Sequence, residues 1–317
     1  MSNYRIIDRL VLDSVAERNA LIAGLFARPA SISPKYFYDE LGCALFCAIC
    51  ELPEYYPTRT EVAIFRDYRQ EIAHAAGAGK QLVDLGAGDC CKAASWLPYF
   101  QPWRYLAVDI ARAPINKALS GLAPEFPEIE MLGIVTDFAR ALNLHADLQD
   151  LPATFFYPGS SIGNFSPEEA LAFLVQIRGH CGTPGSGLLI GVDAKKDKRR
   201  LEAAYDDAVG VTAAFNRNVL AHVNRLLGSD FRPEAFAHRG LYNEAAGRIE
   251  MHLEALSNQE VSIAGRIRRF RVGERIHTEN SYKYGPIEFE ALLRRAGFDD
   301  IRLWQDAKQQ FCVFYAE

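Results

Sequence analysis

The feature that most constrains the fold is an apolar run that ends abruptly in two closely spaced glycines. Residues 82–85 read Leu-Val-Asp-Leu and are followed by Gly86 and Gly88. Such a run is typical of a buried parallel strand, and the glycines let the backbone turn sharply beside a ligand. In open α/β sheets, ligands bind at the carboxyl ends of the strands. The stretch therefore predicts a ligand-binding turn in a doubly wound sheet.

Two further apolar runs end in acidic residues and support this prediction. Residues 105–108 lead into Asp109, which lies 21 residues after Gly88. An acid at that distance can accept hydrogen bonds from both hydroxyls of a ribose. A third run leads into Asp137 and Phe138. Together these positions favour a ribose-containing ligand.

The glycine spacing distinguishes two kinds of cofactor loop. A nicotinamide-binding loop has a third glycine where this chain has Cys91. Residues 84–88, Asp-Leu-Gly-Ala-Gly, better resemble the Asp/Glu-x-Gly-x-Gly motif of class I S-adenosylmethionine (SAM) methyltransferases, although Cys90 replaces the usual third glycine of that motif. An ordinary strand turn and a nicotinamide oxidoreductase are the alternatives.

Composition limits the size of the fold and its partners. The 317 residues are 49% apolar and 24% charged, which allows one large or two modest globular domains. The net charge of −5 gives no electrostatic reason to expect a nucleic acid or an anionic membrane as partner. The sequence predicts no membrane span and no signal peptide, and seven cysteines then indicate reduced thiols in the cytoplasm. It does not indicate an oligomeric state, and a monomer is the working expectation.

Strands and helices alternate along residues 80–193. The candidate strands are 81–85, 104–109, 129–135, 153–157 and 187–192, and a reversed pair at 298–304 and 310–315 follows a helix over 286–296. This order predicts an α/β fold with a doubly wound sheet and a reversed last strand. Such a sheet favours a methyltransferase over a dehydrogenase.

A glycine-rich loop, 159–164, follows the fourth strand. Ser166 and Glu169 form a capping box and predict a helix that begins at Pro167. The loop therefore lies at the carboxyl edge of the sheet, where Asn164 can offer both a donor and an acceptor to a ligand. The alternative is that Asn164 only builds the turn.

The N-terminal part combines a helix with an aromatic segment. Apolar residues at helical spacing predict a helix over 14–28. Residues 36–60 are rich in tyrosine and phenylalanine, and two prolines prevent one continuous helix. Thr58 or Thr60 is a candidate cap for a helix over 61–76. The tyrosines can offer hydroxyls and ring faces to a ligand, or they can simply cover the core.

Three cysteines in this segment have the spacing of an iron–sulfur motif. Cys43, Cys47 and Cys50 spell Cys-x3-Cys-x2-Cys, which radical-SAM enzymes use to bind a cluster. Positions i, i+4 and i+7 also share one face of a helix, and free cysteine packs as a small hydrophobe. The apolar neighbours favour a short helix, and we predict no metal site.

Residues 195–280 interrupt the alternation. Helical segments over 198–209 and 212–227 are followed by alternating runs at 248–254 and 260–272. We expect an inserted α+β lid domain over the carboxyl edge of the sheet. The predicted divisions are 1–60 for the N-terminal helix and aromatic loop, 61–194 for the cofactor domain, 195–284 for the lid and 285–317 for the return to the sheet.

A carboxylate and a hydroxyl lie close together near the end of this insert. Glu279 and Ser281 are two residues apart, so they face the same way on an extended strand. Side by side they can hold a ring with two nitrogens, such as imidazole. The alternative is a solvated edge strand.

Five blocks distributed along the chain resemble one family. They are Lys-Tyr-Phe-Tyr-Asp (35–39), Leu-Pro-Glu-Tyr-Tyr-Pro-Thr-Arg-Thr-Glu (52–61), Gly-Ser-Ser-Ile-Gly-Asn (159–164), Ala-Tyr-Asp-Asp-Ala-Val-Gly-Val-Thr-Ala-Ala-Phe-Asn-Arg-Asn-Val-Leu (204–220) and Arg-Ile-Glu-Met (248–251). The chain resembles the histidine-specific N-methyltransferases of ergothioneine biosynthesis, which convert histidine to its trimethyl betaine, hercynine, using three SAM molecules. The resemblance implies a class I methyltransferase fold, SAM as cofactor and L-histidine as substrate.

The resemblance also implies a set of cofactor-binding residues. These are Gly86, Ala87, Gly88, Lys92, Asp109, Asp137 and Phe138. Lys92 would reach the SAM carboxylate and Asp109 would hold the ribose. Asp137 and Phe138 would border the adenine.

A second implied set binds the substrate. It comprises Tyr38, Tyr55, Gly159, Asn164, Tyr205, Phe215, Met251, Glu279 and Ser281. Tyr55, Asn164 and Tyr205 would hold the ammonium and carboxylate groups. Glu279 and Ser281 would hold the imidazole, and Met251 and Phe215 would wall the ring. Tyr38 would lie near the amine and is the candidate catalytic residue, as an acceptor of the amine proton.

Some alternatives stay open on the sequence alone. The cofactor loop carries Cys90 and Cys91 where polar residues are expected. Another amino acid, such as tryptophan, tyrosine or a histidine derivative, is a possible substrate on the same scaffold. A non-catalytic module that binds SAM or an amino acid is a further alternative.

Overall fold

A computed structural model of the protein describes residues 3–10 and 14–317. In chain order, its strands are β1 (Tyr4–Asp8), β2 (Ala30–Ser31), β3 (Gln81–Leu85), β4 (Arg104–Asp109), β5 (Glu130–Val135), β6 (Ala153–Tyr157), β7 (Gly187–Asp193), β8 (Phe236–Asn243), β9 (Arg248–Ala255), β10 (Gln259–Ile263), β11 (Arg266–Phe270), β12 (Arg275–Tyr282), β13 (Ile301–Gln305) and β14 (Phe311–Ala316).

The helices, again in chain order, are α1 (Ser14–Phe26), α2 (Glu40–Cys50), α3 (Tyr56–Asp67), α4 (Arg69–Ala76), α5 (Cys91–Ala94), α6 (Leu97–Phe100), α7 (Arg112–Glu125), α8 (Pro167–His180), α9 (Lys198–Tyr205), α10 (Val211–Leu227) and α11 (Pro286–Arg295). Within the described residues, no helix is long and apolar enough to cross a membrane.

The chain forms two compact units. Unit 1 comprises Met1–Val11, Arg59–Ala194 and Tyr284–Glu317, and unit 2 comprises Leu12–Thr58 and Lys195–Lys283. The N-terminal segment 1–60, predicted as one region, is therefore divided between the two units, since most of it clusters with the insert.

Unit 1 is built on one eight-stranded sheet with the order β1-β5-β4-β3-β6-β7-β14-β13. Six neighbouring strands are parallel, whereas β14 runs antiparallel to both β7 and β13. The predicted reversed last strand is confirmed. Strands β3, β6 and β7 are buried along their whole length, as expected of parallel strands covered on both faces. The parallel strands end at one edge, where the predicted cofactor residues follow them.

The helix predicted over 61–76 begins earlier and is broken. Helix α3 begins at Tyr56 and ends at Asp67, and α4 begins at Arg69. The predicted caps Thr58 and Thr60 are wrong because both lie inside α3. Pro57 is tolerated in the first turn, where a helix leaves its N–H groups without intrahelical partners anyway.

Unit 2 contains a four-stranded sheet with the order β2-β12-β9-β8 and a separate β10–β11 hairpin. Strands β8, β9 and β12 are antiparallel neighbours, and only the short β2 pairs in parallel. The helix predicted over 198–209 ends at Tyr205. Asp207 instead accepts hydrogen bonds from the N–H groups of Val211 and Thr212 in the first turn of α10.

The three cysteines with iron–sulfur spacing lie on α2, as predicted. Asp39 caps this helix by accepting a 2.7 Å hydrogen bond from Gly42 N. Cys43, Cys47 and Cys50 lie on its successive turns, with Cys43 and Cys50 half-buried and Cys47 exposed rather than packed as a hydrophobe. A regular helix does not wrap around a cluster, so the helical alternative explains this spacing.

Candidate cofactor and substrate sites

The glycine turn after β3 is joined to β4 by backbone hydrogen bonds. Gly86 N and Ala87 N both donate to Val108 O, at 2.8 and 3.1 Å. Gly86 and Gly88 have φ angles of 72° and 54°, in the left-handed region that favours glycine. A Cβ at Gly88 would have no atom within 4 Å. The turn is therefore fixed in position and has open space above it.

Asp109 holds this turn from the end of β4. Its Oδ2 accepts a 2.9 Å hydrogen bond from Gly88 N, and its Oδ1 accepts one of 2.8 Å from Ala111 N. Burial raises the pKa of its carboxyl, and the backbone donors partly offset the rise. Each carboxylate oxygen has a second lone pair, so Asp109 can also accept hydrogen bonds from a ribose.

Lys92 is held by a buried carboxylate that the sequence analysis missed. Its Nζ lies 2.6 Å from Glu61 Oε2, and Glu61 Oε1 accepts a 2.7 Å hydrogen bond from Gly159 N. Glu61 is fully buried. A Cβ at Gly191 on β7 would lie 2.0 Å from Glu61 Oε1, so the glycine makes room for this acid. Glu61 thus links the cofactor loop to the loop after β6.

Phe138 borders the same turn. It lies 3.7 Å from the position that a Cβ on Gly86 would take, and it packs edge-on against Tyr157 and tilted against Phe173. Asp137 begins a turn, and its carboxylate accepts a 3.3 Å hydrogen bond from Arg140 N in that turn. An aromatic ring, an acid for a ribose and an ammonium for a carboxylate fit the chemical groups of SAM.

Asn164 ends the 3-10 turn Ser161–Asn164. Gly159 and Ser160 have φ angles of 79° and 60°, and Ser160 Oγ accepts a 2.8 Å hydrogen bond from Asp193 N on β7. Asn164 is half-buried, and within unit 1 its amide makes no side-chain hydrogen bond to a described residue. The amide is thus available to a ligand, and the capping box of Ser166 with Glu169 is confirmed.

In unit 2, strand pairing brings three predicted substrate residues together. Met251 on β9 pairs directly with Glu279 on β12, and Ser281 follows two residues later. Cross-strand partners and alternate residues share one face of a sheet. A bulge between His277 and Glu279 shifts the register, and such bulges re-aim side chains. Glu279 is 8% exposed, which excludes the solvated edge strand.

Tyr205 is brought to this face by a glycine and a histidine on β8. A Cβ at Gly240 would lie 2.5 Å from Tyr205 O. His238 Nε2 donates to the same carbonyl at 2.7 Å, and its Nδ1 accepts from Asn216 Nδ2 at 2.8 Å. Thr278 Oγ1, inside the bulge, donates to Asn216 Oδ1 at 2.8 Å. This buried network connects Tyr205 with the residue before Glu279.

A triangle of hydrogen bonds joins Tyr205, Ser281 and a lysine that sequence reasoning missed. Tyr205 Oη and Ser281 Oγ are 2.8 Å apart, and Lys283 Nζ lies 3.0 and 2.8 Å from them. Its position two residues after Ser281 was the available signal, because alternate strand residues share a face.

Aromatic rings line the remaining wall of the unit 2 site. The Phe215 ring centroid lies 6.1 Å from those of Tyr38 and Phe46, and Tyr55 lies 6.1 Å from Tyr205. Burial raises the pKa of Tyr55 well above 10, with smaller contributions from Tyr205 and Glu279 nearby. Tyr55 is therefore a neutral hydrogen-bonding phenol. Phe46 was not among the predicted site residues.

Burial raises the pKa of Glu279 to about 7, and the nearby Lys283 ammonium lowers it by less. A carboxyl whose pKa rises on folding destabilises the folded state as the pH rises from about 4.5 to about 7. We expect E279Q to be more stable than wild type by up to about 3 kcal/mol at pH 8, with the gap closing toward pH 4.5. Urea unfolding of the ligand-free protein between pH 5 and 8 measures this. A gap that is constant across that range contradicts the expectation.

The fold defines a SAM-dependent class I methyltransferase: a parallel sheet with one reversed strand, a glycine turn after β3 and an acid that ends β4. The chain belongs to the family described as histidine-specific, SAM-dependent methyltransferases, which matches residues 17–317.

Individual relatives agree with this assignment. A histidine N-alpha-methyltransferase of Mycolicibacterium smegmatis is 41% identical over 98% of this chain and 97% of its own. One of Mycobacterium tuberculosis is 38% identical over 94% and 93%. Ergothioneine biosynthesis protein 1 of Neurospora crassa is 29% identical over 87% of this chain and 32% of its own. The protein is an enzyme that methylates histidine with SAM as the methyl donor.

Proposed function

We propose that the protein methylates the α-amine of L-histidine three times, to N,N,N-trimethylhistidine (hercynine), as the first step of ergothioneine biosynthesis. The observation that carries the proposal is the buried pair of Glu279 and Ser281 on one face of β12, beside Met251. This pair offers hydrogen bonds to a ring with two nitrogens. The names of the mycobacterial and fungal relatives support the amine position and the pathway.

The cofactor is held by unit 1 in this proposal. Asp109 binds the ribose, and Lys92, oriented by Glu61, binds the SAM carboxylate. Phe138 and Asp137 border the adenine, and Gly86, Ala87 and Gly88 leave space for the nucleoside. The hydrogen bonds of Asp109 to the turn and of Glu61 to Lys92 support these roles.

The substrate is held by two groups of residues. Glu279 and Ser281 bind the imidazole, and Met251 and Phe215 pack against it. Tyr55 and Tyr205 are the proposed unit 2 residues for the amino-acid backbone, and Gly159 and Asn164 are the proposed unit 1 residues for the same group. Contacts to the carboxylate do not depend on the number of methyl groups on the amine, so they serve all three transfers.

In SAM the methyl group is bound to a sulfonium sulfur, which is a good leaving group. The protein therefore contributes mainly by positioning the substrate and excluding water. The amine reacts in its neutral form, and an α-amine has a pKa of about 8. Removing the proton from the α-amine therefore costs little free energy near neutral pH, and no strong base is needed. A water accepts the proton, either directly or through the hydroxyl of Tyr38, which lies among the rings of Phe46 and Phe215 and would pass its own proton on to water.

The test is mass spectrometry of a reaction with excess SAM and an equimolar mixture of the twenty common amino acids. We expect histidine to gain three methyl groups and the other amino acids to stay unchanged. Methylation of another amino acid would overturn the roles of Glu279 and Ser281. Accumulation of monomethylhistidine alone would contradict the threefold reaction.

Met251 sets the space available for the ring. It is 1% exposed and faces Glu279 across the strands. We expect M251A to raise kcat/KM for tryptophan relative to histidine by about tenfold, since a changed pocket volume shifts discrimination by ~1–3 kcal/mol. Competition assays with both amino acids measure the ratio.

The matched control is M131A, which truncates an equally buried methionine on β5 in unit 1. Both variants lose core packing, but only M251A enlarges the proposed pocket. Comparing them therefore separates the effect of pocket volume from that of general destabilisation. An unchanged ratio in M251A, or an equal shift in M131A, would remove Met251 from the ring wall.

None of the seven cysteines, which all lie in the described part of the chain, forms a disulfide in the structure, as is usual for proteins of the cytoplasm. We extend the proposal to a cytoplasmic monomer. Light scattering at micromolar concentration, with a mass near 35.4 kDa as the expected result, tests the oligomeric state.

A further inference from the structure

Lys283 is a buried lysine whose ammonium contacts two substrate residues. It is 1% exposed and directly follows β12, so Glu279, Ser281 and Lys283 alternate on the same side of the chain. Its Nζ donates to Ser281 Oγ at 2.8 Å and to Tyr205 Oη at 3.0 Å. Lysine is almost never fully buried without polar partners, because desolvating the charge is costly. These hydroxyls therefore compensate part of the cost.

The ammonium restricts the direction in which both hydroxyls donate. An ammonium can only donate hydrogen bonds, so each hydroxyl oxygen accepts one from Lys283. Tyr205 Oη and Ser281 Oγ also bond to each other at 2.8 Å, which uses one of their two protons. The other hydroxyl proton is directed out of the triangle.

Acidity indicates which hydroxyl donates outward. A phenol is a stronger donor than an alcohol, and accepting a bond from an ammonium polarises it further. Tyr205 is then the donor inside the triangle, and its hydroxyl oxygen keeps a second lone pair with which it can accept a hydrogen bond from the substrate amine. Ser281 Oγ accepts from both Lys283 and Tyr205, so its own proton is donated outside the triangle.

We propose that Lys283 is a positioning residue that fixes Ser281 as a hydrogen-bond donor to the substrate ring. Glu279 beside it is an acceptor. A neutral imidazole has one N–H and one bare nitrogen, so it matches a neighbouring acceptor and donor. Without the ammonium, Ser281 can turn to accept and the match is lost. The inference rests on the proposed function, because it takes the ring to be imidazole.

The test is a double-mutant cycle in the full-length protein on kcat/KM for L-histidine at saturating SAM. The variants are K283M, S281A and K283M/S281A. Loss of a hydrogen bond to a charged group costs ~1.5–3 kcal/mol, so we expect each single variant to lose about 30-fold, mainly through KM. Because Lys283 acts through Ser281, the double variant should retain at least about tenfold more activity than the product of the two losses. A residual loss in the S281A background is expected, since Lys283 also lowers the pKa of Glu279.

Multiplicative losses, within about twofold, would overturn the role of Lys283. Unchanged activity in K283M would do the same. If wild type fails to methylate histidine, the proposed function and this inference both fall. If wild type is active and the cycle shows no coupling, only the inference falls.

The stability of K283M distinguishes a positioning role of Lys283 from a role in folding. Replacing Lys283 with methionine removes the cost of burying its charge but also removes its two hydrogen bonds, so we expect the melting temperature of K283M to stay close to that of wild type. The affinity for SAM should be unchanged.

K80M is the matched control, because the Lys80 ammonium donates to Gly185 O and Tyr315 Oη in unit 1, and it should keep full activity. If K283M does not fold, K283Q carries the same cycle, since its amide removes the charge and its oxygen can accept from the hydroxyls, so the direction of their hydrogen bonds is no longer fixed.

Discussion

The variant E279A should lose about 10³–10⁴-fold in kcat/KM for histidine and keep the wild-type affinity for SAM. A site built to hydrogen-bond a polar group discriminates by such factors, because its buried partners are left unpaired when one member is missing. Glu279 is 8% exposed in unit 2, whereas the predicted cofactor residues lie in unit 1. Steady-state kinetics gives the first quantity, and calorimetric titration with SAM gives the second.

Two companion variants make the result specific. E279Q keeps the shape and one acceptor oxygen, so its loss should be smaller than that of E279A. E260A removes an exposed carboxylate on the β10–β11 hairpin, paired only with exposed Arg269, and should behave as wild type. An equal loss of histidine and SAM binding in E279A would show that Glu279 supports the fold rather than the imidazole.

The variant D109A should weaken SAM binding by about 10²–10³-fold. Asp109 accepts hydrogen bonds from Gly88 N and Ala111 N, and truncation leaves both donors without this partner at ~1–3 kcal/mol each. The turn would lose its fixed position, and the proposed contact with the ribose would be lost as well. Calorimetric titration with SAM measures the effect.

The control for D109A is D67A, which removes an exposed unit 1 carboxylate paired with Arg66. We expect D67A to keep the wild-type SAM affinity and unfolding transition, and D109A to unfold at a lower temperature than wild type, because its two backbone donors lose their partner. D109N keeps one acceptor and should fall between D109A and wild type. If D109A binds SAM normally, the ribose role of Asp109 is wrong. If D109A is unfolded, the SAM affinity of D109N tests the ribose role of Asp109 in its place.

The two variants together form a stronger test than either alone. E279A is expected to affect the amino acid and spare SAM, whereas D109A is expected to affect SAM. A reversed pattern would mean that the two residue sets were assigned to the wrong ligands.

The central strands were predictable because their signals are local. Apolar runs that end in glycine or an acid placed β3, β4, β5, β6 and β7 to within one residue of the structure. Strand β1 was missed because it is five residues long with only partly buried side chains, and it forms by pairing with β5, which lies far along the chain. The start of α3 was missed because proline was treated as a barrier rather than as a first-turn residue.

The site residues, too, fall into those with a local sequence signal and those that depend on contacts with distant residues. Glu279 and Ser281 were paired correctly because the two-residue period of a strand is a local property. Glu61 and Lys283 were missed as site residues. Glu61 meets Lys92 and Gly159 across 31 and 98 residues of chain, and Lys283 meets Tyr205 across 78. The two-residue strand period places Lys283 on the face of Ser281, but no pattern in neighbouring residues reports its contact with Tyr205 or the contacts of Glu61.

Local patterns were enough to predict the sheet, the cofactor turn and the family, since strand period, glycine turns and motif blocks lie in consecutive residues. The compensation of the buried charges, in contrast, depends on the tertiary structure. The burial of Glu61 behind Gly191, the approach of Tyr205 to Gly240 and the closing of the Tyr205–Ser281–Lys283 triangle all depend on distant segments meeting. The cost of burying a charge depends on the partners that surround it in space, and folding is the step that brings those partners together.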